Sequence, residues 1–377
     1  MKRKILIFPD SFNPFNKYHK YVLDRAADIV MPDLCVLNIV NDDLDSNISV
    51  LHRKNMIEIA LQGYSRKFSI EDCAYDNVNV QNNKQNGIIE VISGSFARSC
   101  DALKYCIVDY EIYKVIRSSV TDDIVCIVHG STMHDMQNEL RNIDIYIDVP
   151  GHIASITESK IRCIDIDYSR CDFSRDWLHL EQIKIDHGKL DIEYGVNKYI
   201  NDHGLYAIHR LNMMKISQKR MSHIISTANY AKTLVKSNFN DPDMERDAFV
   251  AGIYHDIAKE IDKGIQAKIA DDVGITGYED PNLLHAYIGS NILKTVYNFD
   301  NRNVLIAINR HTKPYDYYTE EPDALAKVLY VADKLEPMRN KENMMGMDID
   351  GYRLLAEKNI DQCFAEGYAE LCRRINK

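Results

Sequence analysis

"AGIYHDIAKEID", residues 251–262, sets a histidine directly before an aspartate in what reads as a buried, Ala-rich helix. An unpaired charge in such a place costs roughly several kcal/mol, so something must offset it. His255 falls at helical spacing with Ala248, Ala251 and Ala258, which puts it on the apolar stripe. The same pattern recurs further along. His285 aligns with Ile288 and Ile292, His311 with Val304 and Ile308, and Asp333 with Leu325 and Leu329. His223 stands at the start of another helical pattern, carried by Ile224, Ala228, Ala231 and Val235.

One histidine on an apolar face is ordinarily a satisfied core residue. His223, His255, Asp256, His285, His311 and Asp333 together are a different case, because five segments each aim a polar group inward. That is unfavourable unless the groups meet around a cation. Imidazole and carboxylate suit iron, zinc, manganese or nickel, and helical bundles build such sites from facing helices. Neighbours on a helix diverge by about 100°, so one of the 255–256 pair can face a first ion while the other bridges to a second. Ions about 3.5–4 Å apart clamp both oxygens of an in-line phosphoryl displacement.

The totals fit a soluble two-domain chain: 377 residues, 45% hydrophobic, 27% charged. No apolar run is long enough to span a bilayer and no signal-peptide pattern is present, so a cytoplasmic location and no membrane partner are expected. The nine cysteines are scattered, odd in number and without a C-x-x-C pair, which argues for reduced thiols. A net charge of −10 disfavours nucleic-acid binding. It leaves room for a small anionic substrate, since a metal reverses the local field.

Periodicity divides the chain near 206/207. Before it, 4–12, 33–40, 123–131, 143–151 and 161–167 read as strands of a parallel α/β sheet, with 51–63 and 99–119 at helical spacing between them. Such a sheet binds ligands at the carboxyl ends of its strands. After the boundary the strand signal stops and an all-α bundle follows. The expected fold is thus a Rossmann-like domain, 1–206, followed by a helical domain, 207–377.

The order H…HD…H…H…D has spacings of 32 (223 to 255), 29 (256 to 285), 26 (285 to 311) and 22 (311 to 333). It resembles the HD-domain metal-dependent phosphohydrolases. "KRMSH", "HDIAKE", "LLHAYIG", "AINRHT" and "YVADKLEPMR" resemble one branch in particular, the bacterial symmetrical diadenosine tetraphosphate hydrolases, over about residues 215–345. The resemblance implies a centre of two divalent transition-metal ions, iron favoured and manganese or another metal open, that cuts a dinucleoside tetraphosphate into two nucleoside diphosphates. By position, His223, His255, Asp256 and Asp333 would hold one ion, Asp256 would bridge, and His285 with His311 would hold the other. Asp256 and Lys259 are the candidate catalytic residues. Lys259, Thr312 and Arg339 are candidates to meet phosphate, Arg339 being otherwise a surface residue. Pro314 in "HTKP" departs from the family, which usually has glycine there.

"FPDSFNPFNKYHKYVL" (8–23) resembles the G-x-F-N-P-x-H-x-G-H signature of nicotinate-nucleotide adenylyltransferases, with loose support from 51–61 and 194–206. Ser11, Phe12, Asn13, Pro14 and His19 match. Asn16 replaces the first motif histidine and Tyr18 the second glycine. Thr132 stands for an aspartate, and "RCDFSRD" (170–176) for the phosphate-binding S-S-T-x-I-R. Asparagine cannot carry the positive charge that offsets a pentavalent phosphorane. The front half therefore reads as a degenerate nucleotidyltransferase, with Ser11, Phe12, Asn13 and His19 as its nucleotide-binding candidates. Its open roles are a nucleotide module, a scaffold, or a dimerisation surface for a homodimer.

Among the remaining stretches, "NDPDMERD" (240–247) carries the caps and early acidic residues of a helix start. "NDDLDSN" (41–47) and the methionine-rich 342–352 read as loops. The leading function is hydrolysis of a nucleotide polyphosphate. The alternatives are a 5′-nucleotidase, a bifunctional enzyme with active adenylyl transfer, or a regulatory protein with a nucleotide-sensing front half.

Overall fold

The structure, a computed structural model, describes residues 5–10, 12–39, 48–72, 192–275, 281–315, 321–339 and 347–375, together with the strands 103–109, 125–129, 146–149, 152–155 and 164–165. The chain divides into two compact units. One is Met1–Ile183 with Asp191–Val196, the other Lys184–Leu190 with Asn197–Lys377.

In the first unit, β1 (Ile5–Asp10), β2 (Leu34–Ile39), β3 (Phe68–Asp72), β4 (Leu103–Asp109), β5 (Val125–His129) and β8 (Ile164–Asp165) form one sheet in the order β3-β2-β1-β4-β5-β8. Every pairing is parallel. Chain order reverses between β1 and β4, which is where an open α/β sheet leaves a crevice at its carboxyl edge. α1 (Lys17–Val30) packs on β1 and β4, and α2 (Val50–Ala60) on β2 and β3. Leu6, Phe8, Leu37, Ile39, Leu23, Ala27 and Met56 fill the buried layer between them.

Two expectations for this unit need correction. Residues 103–109, within the stretch read as helical, are strand β4. Leu103, Cys106, Ile107 and Val108 form a run that does not alternate, and such a run in an inner parallel strand mimics helical spacing. Residues 146–149, counted among the parallel strands, are β6 (Tyr146–Val149) and pair antiparallel with β7 (His152–Ser155). Only Pro150 and Gly151 separate the two in sequence, far short of a parallel crossover.

The second unit is helical. α3 (Tyr194–Asp202), in which the division between the units falls, is followed by α4 (Ala207–Met213), α5 (Gln218–Asn238) and α6 (Pro242–Tyr254). After these come α7 (Lys263–Asp272), a 3-10 turn at Pro281–Leu283, α8 (Leu284–Thr295), α9 (Arg302–Arg310), α10 (Ala324–Leu335), α11 (Ile349–Ala356) and α12 (Ile360–Ile375). Its core joins Ile224, Ala228 and Leu234 of α5 to Ala248, Ala251 and Tyr254 of α6, Val304 and Ile308 of α9, and Leu325, Val328 and Leu329 of α10.

Local chemistry sets the helix ends. Asp241 caps α6 by accepting from the amides of Asp243 (3.0 Å) and Met244 (3.1 Å), and Pro242 occupies the first turn. Asn301 and Asp323 cap α9 and α10 in the same way. One close approach fixes the α5–α6 crossing: a methyl built on Gly252 would lie 2.5 Å from the Cα of Ala228. That contact seats the middle of α5 against the last turn of α6, just before the histidine–aspartate pair.

Candidate metal centre

α6 ends one residue before the pair. His255 is its C-cap, with φ −53 and ψ −35, and Asp256 follows in a turn rather than within a continuing helix. The amides of Ile257 and Lys259 bond to the carbonyls of Tyr254 and Asp256, three residues back, so the chain tightens and leaves the helix there. The two side chains diverge from this end into one cluster.

Helix ends also aim the other imidazoles. His311 is the C-cap of α9, and His285 lies in the first turn of α8. In each of these three histidines Nδ1 faces a carbonyl oxygen three residues earlier: Gly252 (2.7 Å), Asn282 (2.9 Å) and Ile308 (2.6 Å). A carbonyl only accepts, so Nδ1 carries the proton and Nε2 presents a lone pair. At His255 the bond serves a carbonyl in the last turn of α6, and at His311 the ring shares the Ile308 carbonyl with the residue's own amide. The negative ends of α6 and α9 therefore face the site and favour positive charge there.

The Nε2 atoms converge. His255 and His223 approach to 3.3 Å, and so do His285 and His311. Asp256 stands between the two pairs. Its Oδ2 lies 3.5 Å from His255 and 3.8 Å from His223, and its Oδ1 lies 3.3 Å from His285 and 3.6 Å from His311. Asp333 closes the first pair, with Oδ1 at 3.1 Å from His223 and 3.7 Å from His255. Among the described residues, two groups could each hold a metal ion: His223, His255 and Asp256, and Asp256, His285 and His311. Within each, the donor atoms lie within 4.8 Å of one another. Paired lone pairs at 3.3 Å repel unless a proton or a cation sits between them, so the donor set fits divalent metal.

Electrostatics agree with this. Burial alone would raise the Asp256 carboxyl, but His255, His285 and His311 hold it well below the usual carboxylate range. Burial would raise Asp333 too, yet Lys334 and His223 keep it ionised. Burial pushes His285 down and His311 down to about 4. Burial also opposes a charge on His223, but Asp333 and Glu336 raise that imidazole to about 9.

Basic side chains border the cluster. Lys259 Nζ lies 3.2 Å from His285 Nε2, and burial pushes its ammonium down. Arg339 reaches Asp333 Oδ1 at 3.7 Å, so it belongs to the site's edge and not to a remote surface. Thr312 is half-buried beside His311. Three further residues escaped the sequence reading. Arg220 Nη1 donates to Asp256 Oδ2 at 2.6 Å, Lys334 pairs with Asp333, and Glu336 accepts from His223 Nδ1 at 3.1 Å. Arg220 precedes His223 by three residues and Glu336 follows Asp333 by three, and that spacing on one helix face was the available signal.

In the first unit the candidates gather at the end of β1. Phe12 is buried among Phe8, Phe15 and His19, with its ring 5.1 Å from that of Phe8, so it packs the loop. Asn16 and His19 form a capping box on α1: the Asn16 amide donates to His19 Nδ1 (3.1 Å) and the His19 amide to Asn16 Oδ1 (3.0 Å). Asn13 is half-buried in the same loop. Ser11, Thr132 and 170–176 lie outside the described residues.

Residues 220–338 match the HD domain family, which bears out the resemblance read from the histidine and aspartate order. A protein of Mycoplasma genitalium named probable nicotinate-nucleotide adenylyltransferase/Ap4A hydrolase is 27% identical over 371 residues, covering 97% of this chain and 96% of its own. A Mycoplasma pneumoniae protein of the same name is 36% identical over 163 residues, covering 43% of this chain and 45% of its own. A solved structure from Clostridium acetobutylicum, described as a predicted HD superfamily hydrolase involved in NAD metabolism, is 25% identical. It covers 43% of this chain and 82% of that chain with a TM-score of 0.37. Among the described residues, no helix is long and apolar enough to cross a membrane.

Proposed function

With an HD domain over residues 220–338 as the premise, we propose that the chain is a metal-dependent hydrolase of dinucleoside polyphosphates, cutting diadenosine tetraphosphate into two ADP. The observation that carries this reading is the placing of Asp256, one carboxylate oxygen toward each histidine pair. His223, His255, Asp256 and Asp333 would hold one divalent ion, and Asp256, His285 and His311 a second. Two bound ions supply Lewis acidity and a nucleophile at neutral pH.

The chain's own residues do the rest. Asp256, ionised, keeps the two sets in register. Lys259 offers a donor beside His285 to a phosphate oxygen, while Arg220, Lys334 and Arg339 supply positive charge along the other side for a polyphosphate chain. Thr312 adds a hydroxyl. Iron is the favoured metal, with manganese as the next choice. The names of both Mycoplasma relatives support the substrate, and a cytoplasmic location accords with it.

The deciding measurement is a chromatographic product screen on anaerobically purified protein supplied with iron, manganese or cobalt. ADP as the sole product supports the reading. AMP with ATP, or no turnover with any of the three metals, discards it. Release of inorganic phosphate from nucleoside monophosphates alone would favour a 5′-nucleotidase instead.

For the first unit we propose nucleotide binding or scaffolding without adenylyl transfer, because Asn16 serves as a helix cap where the signature has a catalytic histidine. A bifunctional enzyme is the second reading, favoured by the relative aligned over 97% of this chain. Formation of the dinucleotide from ATP and nicotinate mononucleotide by the full chain would establish it.

A further inference from the structure

Glu336 differs from every other group that aims a histidine here. Three imidazoles are held by neutral carbonyls three residues away, whereas His223 is held by a carboxylate 113 residues along the chain. Glu336 is only 1% exposed. Its Oε1 takes the Nδ1 proton of His223 at 3.1 Å, its Oε2 accepts from the Met338 amide at 2.6 Å, and Ser226 also bonds to it. Arg353 pins the backbone there, donating to the carbonyls of Leu335 and Glu336 at 2.7 Å each. A carboxylate behind an imidazole fixes its tautomer and raises its basicity as a ligand.

Charge counting separates the two sides of the cluster. On the His223 side, Arg220, Lys334 and Arg339 lie against Asp256 and Asp333, and Glu336, behind His223, is the third carboxylate that brings that side into balance. On the His285 side, the donors share one oxygen of Asp256, their Nδ1 partners are neutral, and the Lys259 ammonium stands 3.2 Å from His285 Nε2.

We propose that Glu336 is a positioning residue that makes His223, His255, Asp256 and Asp333 the tighter of two ion positions. Asp256, His285 and His311 are then the weaker, exchangeable one. This rests on the two-ion reading above.

The test is titration of the chelator-treated full chain with Mn2+, following free Mn2+ by electron paramagnetic resonance. The wild type should show two affinity classes. Glu336→Gln keeps an acceptor oxygen but drops the charge. It should weaken the tight class roughly 10- to 100-fold and leave the weak class in place, while Glu336→Leu, with no acceptor, should lose more. His285→Asn should remove the weak class alone. An unchanged tight class in Glu336→Gln, an equal loss in both classes, or loss of the tight class in His285→Asn overturns the proposal. If the Glu336 variants do not fold, His285→Asn decides alone. Two ordered classes without cleavage of diadenosine tetraphosphate would sink the substrate reading and keep this one. Cleavage, with Glu336→Gln titrating like the wild type, would do the reverse.

Discussion

Gly252 and Ala228 touch through their backbones: a methyl on Gly252 would stand 2.5 Å from the Ala228 Cα and 2.9 Å from its nitrogen. No side chain can give way there, so α5 and α6 must move apart to admit one. Gly252→Ala should cost about 1–3 kcal/mol of stability, and it should separate His223 from His255, now 3.3 Å apart at Nε2. Thermal melting and metal content should fall together. A variant with normal melting and full metal would refute the contact's role.

Among the described residues, Asp256 is the one that faces both histidine pairs. Asp256→Asn keeps the size but loses the charge, so metal content should fall at both positions and the hydrolysis rate should fall with it. The double variant His255→Ala with Asp256→Ala should lose both entirely. Retained metal with lost activity would instead restrict Asp256 to the chemical step.

Lys259 borders the cluster without being one of the proposed ligands. Lys259→Met should leave metal content unchanged and lower kcat/KM on a polyphosphate by about 10²–10³, the usual loss for one charge-stabilising donor. A variant that loses metal as well would show that the ammonium supports the fold of the centre and not the substrate.

Acid should destabilise the metal-free protein through His311. Burial holds its imidazole at about 4, below the ordinary imidazole value of about 6.5, so the unfolded chain takes up the proton first. Its contribution is complete above pH 6.5 and is lost as pH falls toward 4. His223, raised to about 9, acts with the opposite sign: its contribution is complete below 6.5 and is lost as pH rises through 9. Denaturant melts from pH 4 to 9 should give a stability maximum between those flanks. His311→Asn should flatten the acid flank, and an unchanged flank would count against the assignment.

Much of the second unit was legible because each segment that carries a candidate ligand repeats apolar residues at helical spacing, and so many polar groups on those stripes call for a shared partner. The end of α6 was not legible. Ala258 continues the stripe past His255, so periodicity ran on where the backbone had already turned. Arg220 and Glu336 were missed because charged residues near helix ends read as solvent-facing, and only three-dimensional neighbours show otherwise. In the first unit, β4 reads as part of a helix because an inner parallel strand lacks the alternation that marks a half-exposed one. Asn16 was recognised as a lost histidine, but its service as a cap depends on the His19 ring folding back onto its amide.

His255 and His311 each fasten the final turn of their own helix with the ring that also faces the cluster. Fraying of either terminus thus swings a donor out of line, and drawing that donor into a bond tightens the terminus in return. A cation held by the cluster would couple its own binding to local helix order, and the coupling would show as slowed amide exchange at the closing turns of α6 and α9.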